Sequence, residues 1–281
     1  MKTLITGSTG FVGRNLKEYF QPRYEDVFCP KRAELNLLDA EAVKLYMEKN
    51  AFDLVIHCGV TLLSVEENLK MYFNLERNSS AFGKMVCVGS GSEYGPGHYY
   101  PKMKEDYFGN HVPADIYGFS KFVMAKDVEA VRRNIYNLRV FGIYGKYENY
   151  KRRFISNNIC RVLSGLNISI KKNVGFDYLY VNDFCAIAEL FAKGSPLLRS
   201  YNVCAGQTVE LLQLAKLVQK ADGRERPIIV KEEGMGTEYS GDNSLYTSEF
   251  GAFPYTTHEK AVEELYGWYR DNLKDMDLNG I

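Results

Sequence analysis

The chain has 281 residues, 46% of them hydrophobic, with 35 Lys and Arg balanced by 35 Asp and Glu. That length supports one large domain or two fused ones around a sizeable core. Zero net charge excludes bulk attraction to nucleic acid or to an anionic membrane, so an anionic ligand needs a local site. The six cysteines are scattered without a Cys-x-x-Cys pair and read as reduced, buried small residues of a cytoplasmic protein. The four histidines have no metal-ligand spacing, so no metal is expected. The chain enters a strand directly, without a signal-peptide pattern, and no apolar stretch approaches a membrane span.

Residues 2–6, Lys-Thr-Leu-Ile-Thr, are long enough for one buried strand. Gly7, Gly10 and Gly13 follow at a spacing of three, and an apolar-periodic helix opens with Phe11 and Val12 and runs to 20. A strand, a glycine turn and a helix N-terminus together make an anion site, because backbone N–H groups and the positive helix end point at whatever sits there. Gly7 allows the tight turn, Gly10 the approach of a pyrophosphate, and Gly13 close packing of helix on strand. Gly7, Ser8, Thr9, Gly10, Phe11, Val12 and Gly13 are therefore candidate dinucleotide contacts. The spacing is Gly-x-x-Gly-x-x-Gly, not the commoner Gly-x-Gly-x-x-Gly; its place after the first strand raises it above a turn merely rich in small residues.

A second strand over 26–29 runs into Pro30, Lys31 and Arg32. Folds that bind NAD usually carry a carboxylate near this strand end for the ribose hydroxyls. Lys31 and Arg32 would instead attract a 2′-phosphate, which favours NADPH over NADH; the other reading is a solvated basic turn. A helix is expected over 40–49 and a strand over 52–58, with His57 near its end and beside the cofactor. A helix over 65–79 leads to a strand over 84–89, which delivers Ser90, Ser92, Glu93 and Tyr94 at its carboxyl end, where open α/β sheets bind ligands. A polar and aromatic loop over 98–113, a helix over 115–131, a strand over 137–140 and a turn over 141–145 complete this half. Strands separated by helix-length segments mean a mostly parallel, doubly wound α/β sheet.

After Gly145 the pattern changes. Residues 146–153 are charged and aromatic, and 154–163 are helical. Short strands are expected over 168–171, 178–181, 201–204 and 228–230. Asn182 and Asp183 cap a helix over 184–192; further helices cover 210–221 and 258–273. This part reads as a smaller α/β domain that covers the cofactor and holds the substrate. The division is 1–148 with 176–205 for the NADP-binding domain, and 149–175 with 206–281 for the substrate-binding domain.

Tyr117 and Lys121 are four apart on one helix and share a face. A phenol is a poor base, with an unperturbed pKa of about 10, and a neighbouring ammonium stabilises its phenolate. Tyr117 could then trade a proton with an alcohol or carbonyl while a nicotinamide carries the hydride. Lys121 could also hold the cofactor ribose, and Ser90 could orient the same substrate oxygen.

These residues resemble the extended short-chain dehydrogenase/reductases. The likeness rests on Thr6-Gly7-x-x-Gly10-x-x-Gly13, Ser90, Tyr117-Gly118-x-Ser120-Lys121, Tyr144-Gly145, Tyr180-Val181-Asn182-Asp183 and Tyr201-Asn202-Val203. It covers nearly the whole chain and implies a Rossmann-type fold, NAD or NADP, and a nucleotide-linked sugar as substrate. Sugar-nucleotide dehydratases of this group carry Asp-Glu after the equivalent Ser or Thr; here Gly91 and Ser92 stand there, which argues against elimination. The stretch Arg32-Ala33-Glu34-Leu35-Asn36-Leu37-Leu38-Asp39 is similar to that of the GDP-L-fucose synthase-like reductases and supports Arg32 at a 2′-phosphate. Those enzymes have a Cys where this chain has Ser92, a His where it has Lys151-Arg152-Arg153, and an Arg where it has Phe176. Serine is a far poorer carbon base than cysteine, and arginine stays protonated, so epimerisation loses its base and acid while keto reduction keeps its residues. The substrate diphosphate would then fall to Arg152, Arg153 or Lys151, unless that run is a solvated loop. Tyr178 and Tyr180 alternate, so at most one faces the site.

The reading is an NADPH-dependent reductase of a nucleotide-linked 4-keto-(6-deoxy)sugar in glycan or surface polysaccharide precursor synthesis. Ser90, Tyr117 and Lys121 are the expected catalytic residues. Ser92, Glu93, Tyr94, Arg152, Arg153 and Tyr178 are the expected substrate contacts. The resemblance also implies a homodimer paired through two helices from each subunit. A 4-epimerase with tightly bound NAD is the alternative, and a non-catalytic dinucleotide-sensing module a more remote one.

Overall fold

Apolar runs short enough to cross a sheet once alternate with amphipathic segments that can cover its faces. A computed structural model describes residues 1–130 and 134–281. The first half of the chain forms β1 (Thr3–Thr6), α1 (Phe11–Phe20), β2 (Val27–Phe28), α2 (Ala40–Asn50), β3 (Phe52–His57), α3 (Val65–Glu76), β4 (Phe82–Ser90), α4 (Ile116–Ala130) and β5 (Ile135–Val140). It continues with β6 (Gly142–Tyr144), α5 (Phe154–Leu163), β7 (Ile168–Asn173), β8 (Gly175–Phe176), β9 (Tyr178–Tyr180), α6 (Val181–Lys193) and β10 (Ser200–Val203). The last elements are β11 (Val209–Glu210), α7 (Leu211–Asp222), β12 (Ile228–Met235), α8 (Ser244–Phe250) and α9 (His258–Asn272). Val131, the expected end of the helix that becomes α4, lies outside the described residues.

One parallel sheet has the order β10-β5-β4-β3-β1-β2. The chain moves outward from β1 to β2, then crosses back to lay β3 on the other side of β1. That reversal opens a crevice at the carboxyl ends of β1 and β3, where doubly wound sheets bind ligands. Successive side chains enter opposite cores. Ile5, Ile56 and Val86 face Leu16, Phe20, Phe184 and Ile187 of α1 and α6. Leu4, Val55 and Met85 face Val43, Met47, Tyr72, Met124 and Val128 of α2, α3 and α4. Burial on both faces is why the strands read as continuous apolar runs and not as alternating ones. The fold is the expected α/β class, a Rossmann-type doubly wound sheet. No helix among the described residues is long and apolar enough to cross a membrane.

A separate core joins Ile155, Ile159 and Val162 of α5, Leu214 and Val218 of α7, and Val262, Leu265 and Tyr269 of α9, with Ile168 and Ile170 of β7. β7 pairs in parallel with β12, whose register shifts between Glu232 and Met235.

Four short elements, β6, β8, β11 and α8, have no periodic signal in the sequence. β6 forms because Gly142–Tyr144 pairs in parallel with β9, a partner more than thirty residues away. α6 starts at Val181, so Asn182 and Asp183 lie in its first turn and do not cap it. The Asp183 carboxylate accepts instead from the Thr256 N–H at 2.9 Å and the Thr256 hydroxyl at 2.7 Å.

Lys84 of β4 ties the sheet to the end of α6. Its ammonium donates to the carbonyls of Phe191 at 2.9 Å, Ala192 at 2.9 Å and Gly194 at 2.5 Å. A cation there satisfies terminal carbonyls and complements the negative helix end. Lys84→Met should lower the unfolding free energy by about 1–3 kcal/mol in urea titration, because those carbonyls lose charged donors. An unchanged denaturation midpoint would rule out this bracing role.

Candidate active site

The crevice is the mouth of a cavity of ≈ 960 Å³ that extends from the glycine turn into the second core. Gly7 has φ +65°, and a Cβ there would lie 2.7 Å from the Cys58 carbonyl carbon and the Gly59 nitrogen at the end of β3. A Cβ on Gly13 would run into the Gly7 carbonyl oxygen. Around a Cβ on Gly10 the one close atom is that same oxygen, at 3.4 Å. No side chain caps α1, so its first N–H groups are free for an anion. Gly7, Ser8, Thr9, Gly10, Phe11, Val12 and Gly13 all line the cavity, as do Lys31 and Arg32. Both cations are exposed, and Pro30 and Leu35 beside them in the chain line the cavity as well.

His57 is a correction. It is fully buried, lies beneath the cavity wall, and does not line it. Its Nδ1 is 2.8 Å from the Thr6 hydroxyl, which ties β3 to β1. Burial, with Lys121 adding to it, pushes its pKa down to about 3, so the ring is neutral.

Ser90 ends β4, and Tyr117 and Lys121 lie one turn apart at the start of α4. All three line the cavity. The Asp115 carboxylate accepts the Gly118 N–H at 2.8 Å and so pins the first turn of α4. Lys121 is 3% exposed; its ammonium donates to the Val88 carbonyl at 2.6 Å and lies 5.9 Å from the Tyr117 ring centre. Ser90 Oγ accepts from the Ser92 N–H at 3.2 Å and the Ser92 hydroxyl at 2.9 Å. Ser92 also lines the cavity.

Three expected substrate contacts do not reach the cavity. Glu93 is fully buried behind Ser90, where its carboxylate accepts from the Ser90 N–H at 2.8 Å, Asn137 at 2.9 Å and Arg139 at 2.6 Å. The 3₁₀ turn over Gly91–Tyr94 rotates it away from the face that Ser90 presents. Tyr94 is also buried and donates to Asn202 at 2.7 Å. Arg152 is exposed and does not line the cavity. Arg153 and Tyr178 do line the cavity, and Phe176 stacks on Tyr178 with ring centres 5.0 Å apart. Tyr180 faces away, donating to Glu264 at 3.2 Å.

The sequence reading missed Tyr99, Glu148 and Tyr239, all of which line the cavity. Glu148 follows the Tyr144-Gly145 turn and was legible only as part of a charged run. It is 4% exposed, and burial pushes its carboxyl up to about 7 against the pull of Ser156, Arg153 and the Gly145 N–H. Tyr239 had no local signal, since its loop is far from Ser90 in sequence.

These residues fit a nicotinamide dinucleotide. The glycine cradle leaves backbone N–H groups open to a pyrophosphate, Lys121 has ammonium protons beyond the one given to Val88, and Lys31 and Arg32 line the same cavity.

A doubly wound sheet with a glycine cradle at its switch point defines a protein of the dinucleotide-binding class. Residues 3–204 match the NAD dependent epimerase/dehydratase family, and the chain belongs to it. It is 26% identical over 187 residues to ADP-L-glycero-D-manno-heptose-6-epimerase of Pseudomonas aeruginosa (strain UCBPP-PA14), a match covering 56% of this chain and 55% of that protein. The chain thus spans about half the length of the curated relatives it matches. Among solved structures it is similar to a GDP-L-fucose synthetase from Naegleria fowleri, with TM-score 0.83, 16% identity, and 97% and 93% of the two chains covered. It is also similar to GDP-mannoheptose C4 reductase from Campylobacter jejuni with NADP bound, with TM-score 0.80, 20% identity, and 96% and 98% covered. At these identities the structural likeness is one of fold. The family is one of NAD(P)-dependent enzymes, and its cofactor is a nicotinamide dinucleotide.

Glu148 gives a pH signature. Its folded-state pKa, about 7, lies above the ordinary 4.5, so the unfolded chain ionises first. The stability tied to its protonated form is present below pH 4.5 and is lost as the pH rises through about 7. The difference in unfolding free energy between the unaltered chain and Glu148→Gln should therefore fall by about 3 kcal/mol across that interval and then level off. Urea unfolding at a series of pH values measures it; a difference independent of pH would refute the buried-carboxyl assignment.

Proposed function

We propose that the chain is an NADPH-dependent reductase of a nucleotide-linked 4-keto-(6-deoxy)sugar, working in the cytoplasm on precursors of surface polysaccharide or other glycans. One observation carries the reading: Ser90, Tyr117 and Lys121 line the same cavity as Lys31 and Arg32, which follow β2, with β1 and β3 between it and β4. The cofactor, when bound, supplies the hydride. Tyr117 gives its phenolic proton to the C4 oxygen as negative charge develops there. Lys121, braced on the Val88 carbonyl, stabilises the resulting phenolate and holds the cofactor ribose with its remaining N–H groups. Ser90 orients the sugar oxygen from the other side. Gly7 to Gly13 hold the pyrophosphate, and Arg32 with Lys31 pairs with the 2′-phosphate.

The substrate lies between the sheet and the core of α5, α7 and α9, which serves as the substrate-binding domain. Arg153 is the cation placed for its diphosphate, with Ser92 and Tyr178 as further contacts. The carboxyl of Glu148 beside it is largely protonated below pH 7, which limits repulsion of that anion. Two chains pair as a homodimer, with α4 in the interface.

A 4-epimerase would use the same three residues with NAD; the heptose epimerase among the relatives is named a 6-epimerase. Cofactor preference separates the readings. Calorimetry on stripped protein should give tighter binding of NADPH than NADH. Arg32→Ala should remove about 1.5–3 kcal/mol of that preference, roughly tenfold or more in affinity. Equal or better binding of NADH, or NAD that cannot be stripped, would replace the reductase reading with the epimerase.

A further inference from the structure

The turn after β6 is strained and braced. Tyr147 has φ +72°, a left-handed conformation that a bulky residue adopts only at a cost. Contacts with two helices hold it there. Asn15 of α1 donates to the Lys146 carbonyl at 2.8 Å, and the Arg14 guanidinium lies 3.7 Å from the centre of the Tyr147 ring. Trp268 of α9 packs edge-on against the same ring, with centres 5.1 Å apart. The residue that this turn delivers to the cavity wall is Glu148.

Glu148 is 4% exposed, and among the described residues its Oε1 has no hydrogen-bond partner. An enclosed oxygen without a donor is a costly place for negative charge, so the site favours the neutral acid. Next along the chain, the Asn149 carbonyl accepts the Arg153 N–H at 2.9 Å, which folds the chain back and sets Arg153 on the same wall. The Arg153 guanidinium makes no hydrogen bond or ion pair among the described residues and is free for an anion.

The other titratable groups that feel Glu148 are Tyr144 of β6, Tyr178 of β9, Cys160 of α5 and Tyr269 of α9. Burial raises all four, so they stay neutral. His258 of α9, with Nδ1 3.1 Å from the Tyr144 hydroxyl, is held below its usual pKa by burial and is neutral as well. Arg153 is the charge that acts on Glu148. Of this group, Glu148 is the member whose charge changes near neutral pH, with its carboxyl pushed up to about 7 by burial. Once ionised, it opposes any anion that Arg153 holds.

We propose that Glu148 is a proton-linked binding residue: a nucleotide-linked sugar whose diphosphate pairs with Arg153 is received with Glu148 as the neutral acid, and binding takes up a proton there from the buffer. This deepens the nucleotide-sugar reading and rests on it.

The test titrates the full chain, saturated with NADPH, with GDP-mannose, UDP-glucose and dTDP-glucose. The phosphates of these intact nucleotide sugars are diesters and exchange no proton near neutrality. For each one that binds, affinity should fall about tenfold from about pH 6 to about pH 8, the linkage of one proton to a group titrating near 7. Calorimetry in buffers of different ionisation enthalpy should count about half a proton taken up at about pH 7. Glu148→Gln should vary in affinity by less than about twofold over the same interval and bind more tightly than the unaltered chain at the alkaline end. The proton count is read on the unaltered chain, so a variant that fails to fold does not remove the test. Binding without proton uptake, an affinity independent of pH, or the same pH dependence in folded Glu148→Gln each overturns the proposal and leaves the nucleotide-sugar reading standing. If none of the three binds, both fall.

Discussion

The approach of α1 to the end of β1 sets the geometry of everything else. Position 13 has no room for a Cβ, and position 7 takes a left-handed conformation against the end of β3. Only with both satisfied do the first N–H groups of α1 face the crevice. The reversal of strand order then puts the carboxyl end of β4, with Ser90, on the same side. The glycine cradle and Ser90 are therefore both set at the cavity by one sheet.

Behind Ser90 sits a buried ionic network. Arg139 is fully enclosed and bonds Glu93 at 2.6 Å and Glu129 at 2.7 Å. Burial raises the pKa of Glu93 despite the Arg139 charge, and the carboxylate also holds the Ser90 N–H. Such a pair adds little net stability, but losing one member leaves an uncompensated charge. Its effect here is to fix the turn over Gly91–Tyr94 and, through it, the direction of Ser90. A residue that looked like a substrate contact is thus part of the scaffold.

The cavity is electrostatically uneven. Lys31 and Arg32 leave one end positive, whereas at the other Arg153 stands beside Glu148 and an aromatic wall of Phe176, Tyr178 and Tyr239. The wall there offers ring faces and a few hydrogen-bonding groups.

The sequence by itself determined the sheet, its parallel class, the glycine cradle, and the trio Ser90, Tyr117 and Lys121. Each of these depends on short-range patterns: buried runs, glycine spacing, and side chains one helical turn apart. It could not determine which side of the Ser90 turn Glu93 would take, that His57 would be sealed under the cradle, or that β6 would form by pairing with β9. Those outcomes depend on partners tens of residues away. Tyr239 is the extreme case, a side chain with no local signal that packs on Phe141 with its hydroxyl over Gly91. Only the tertiary structure decided it, because the space it occupies exists only once Gly91, Phe141 and the loop after β12 are packed together.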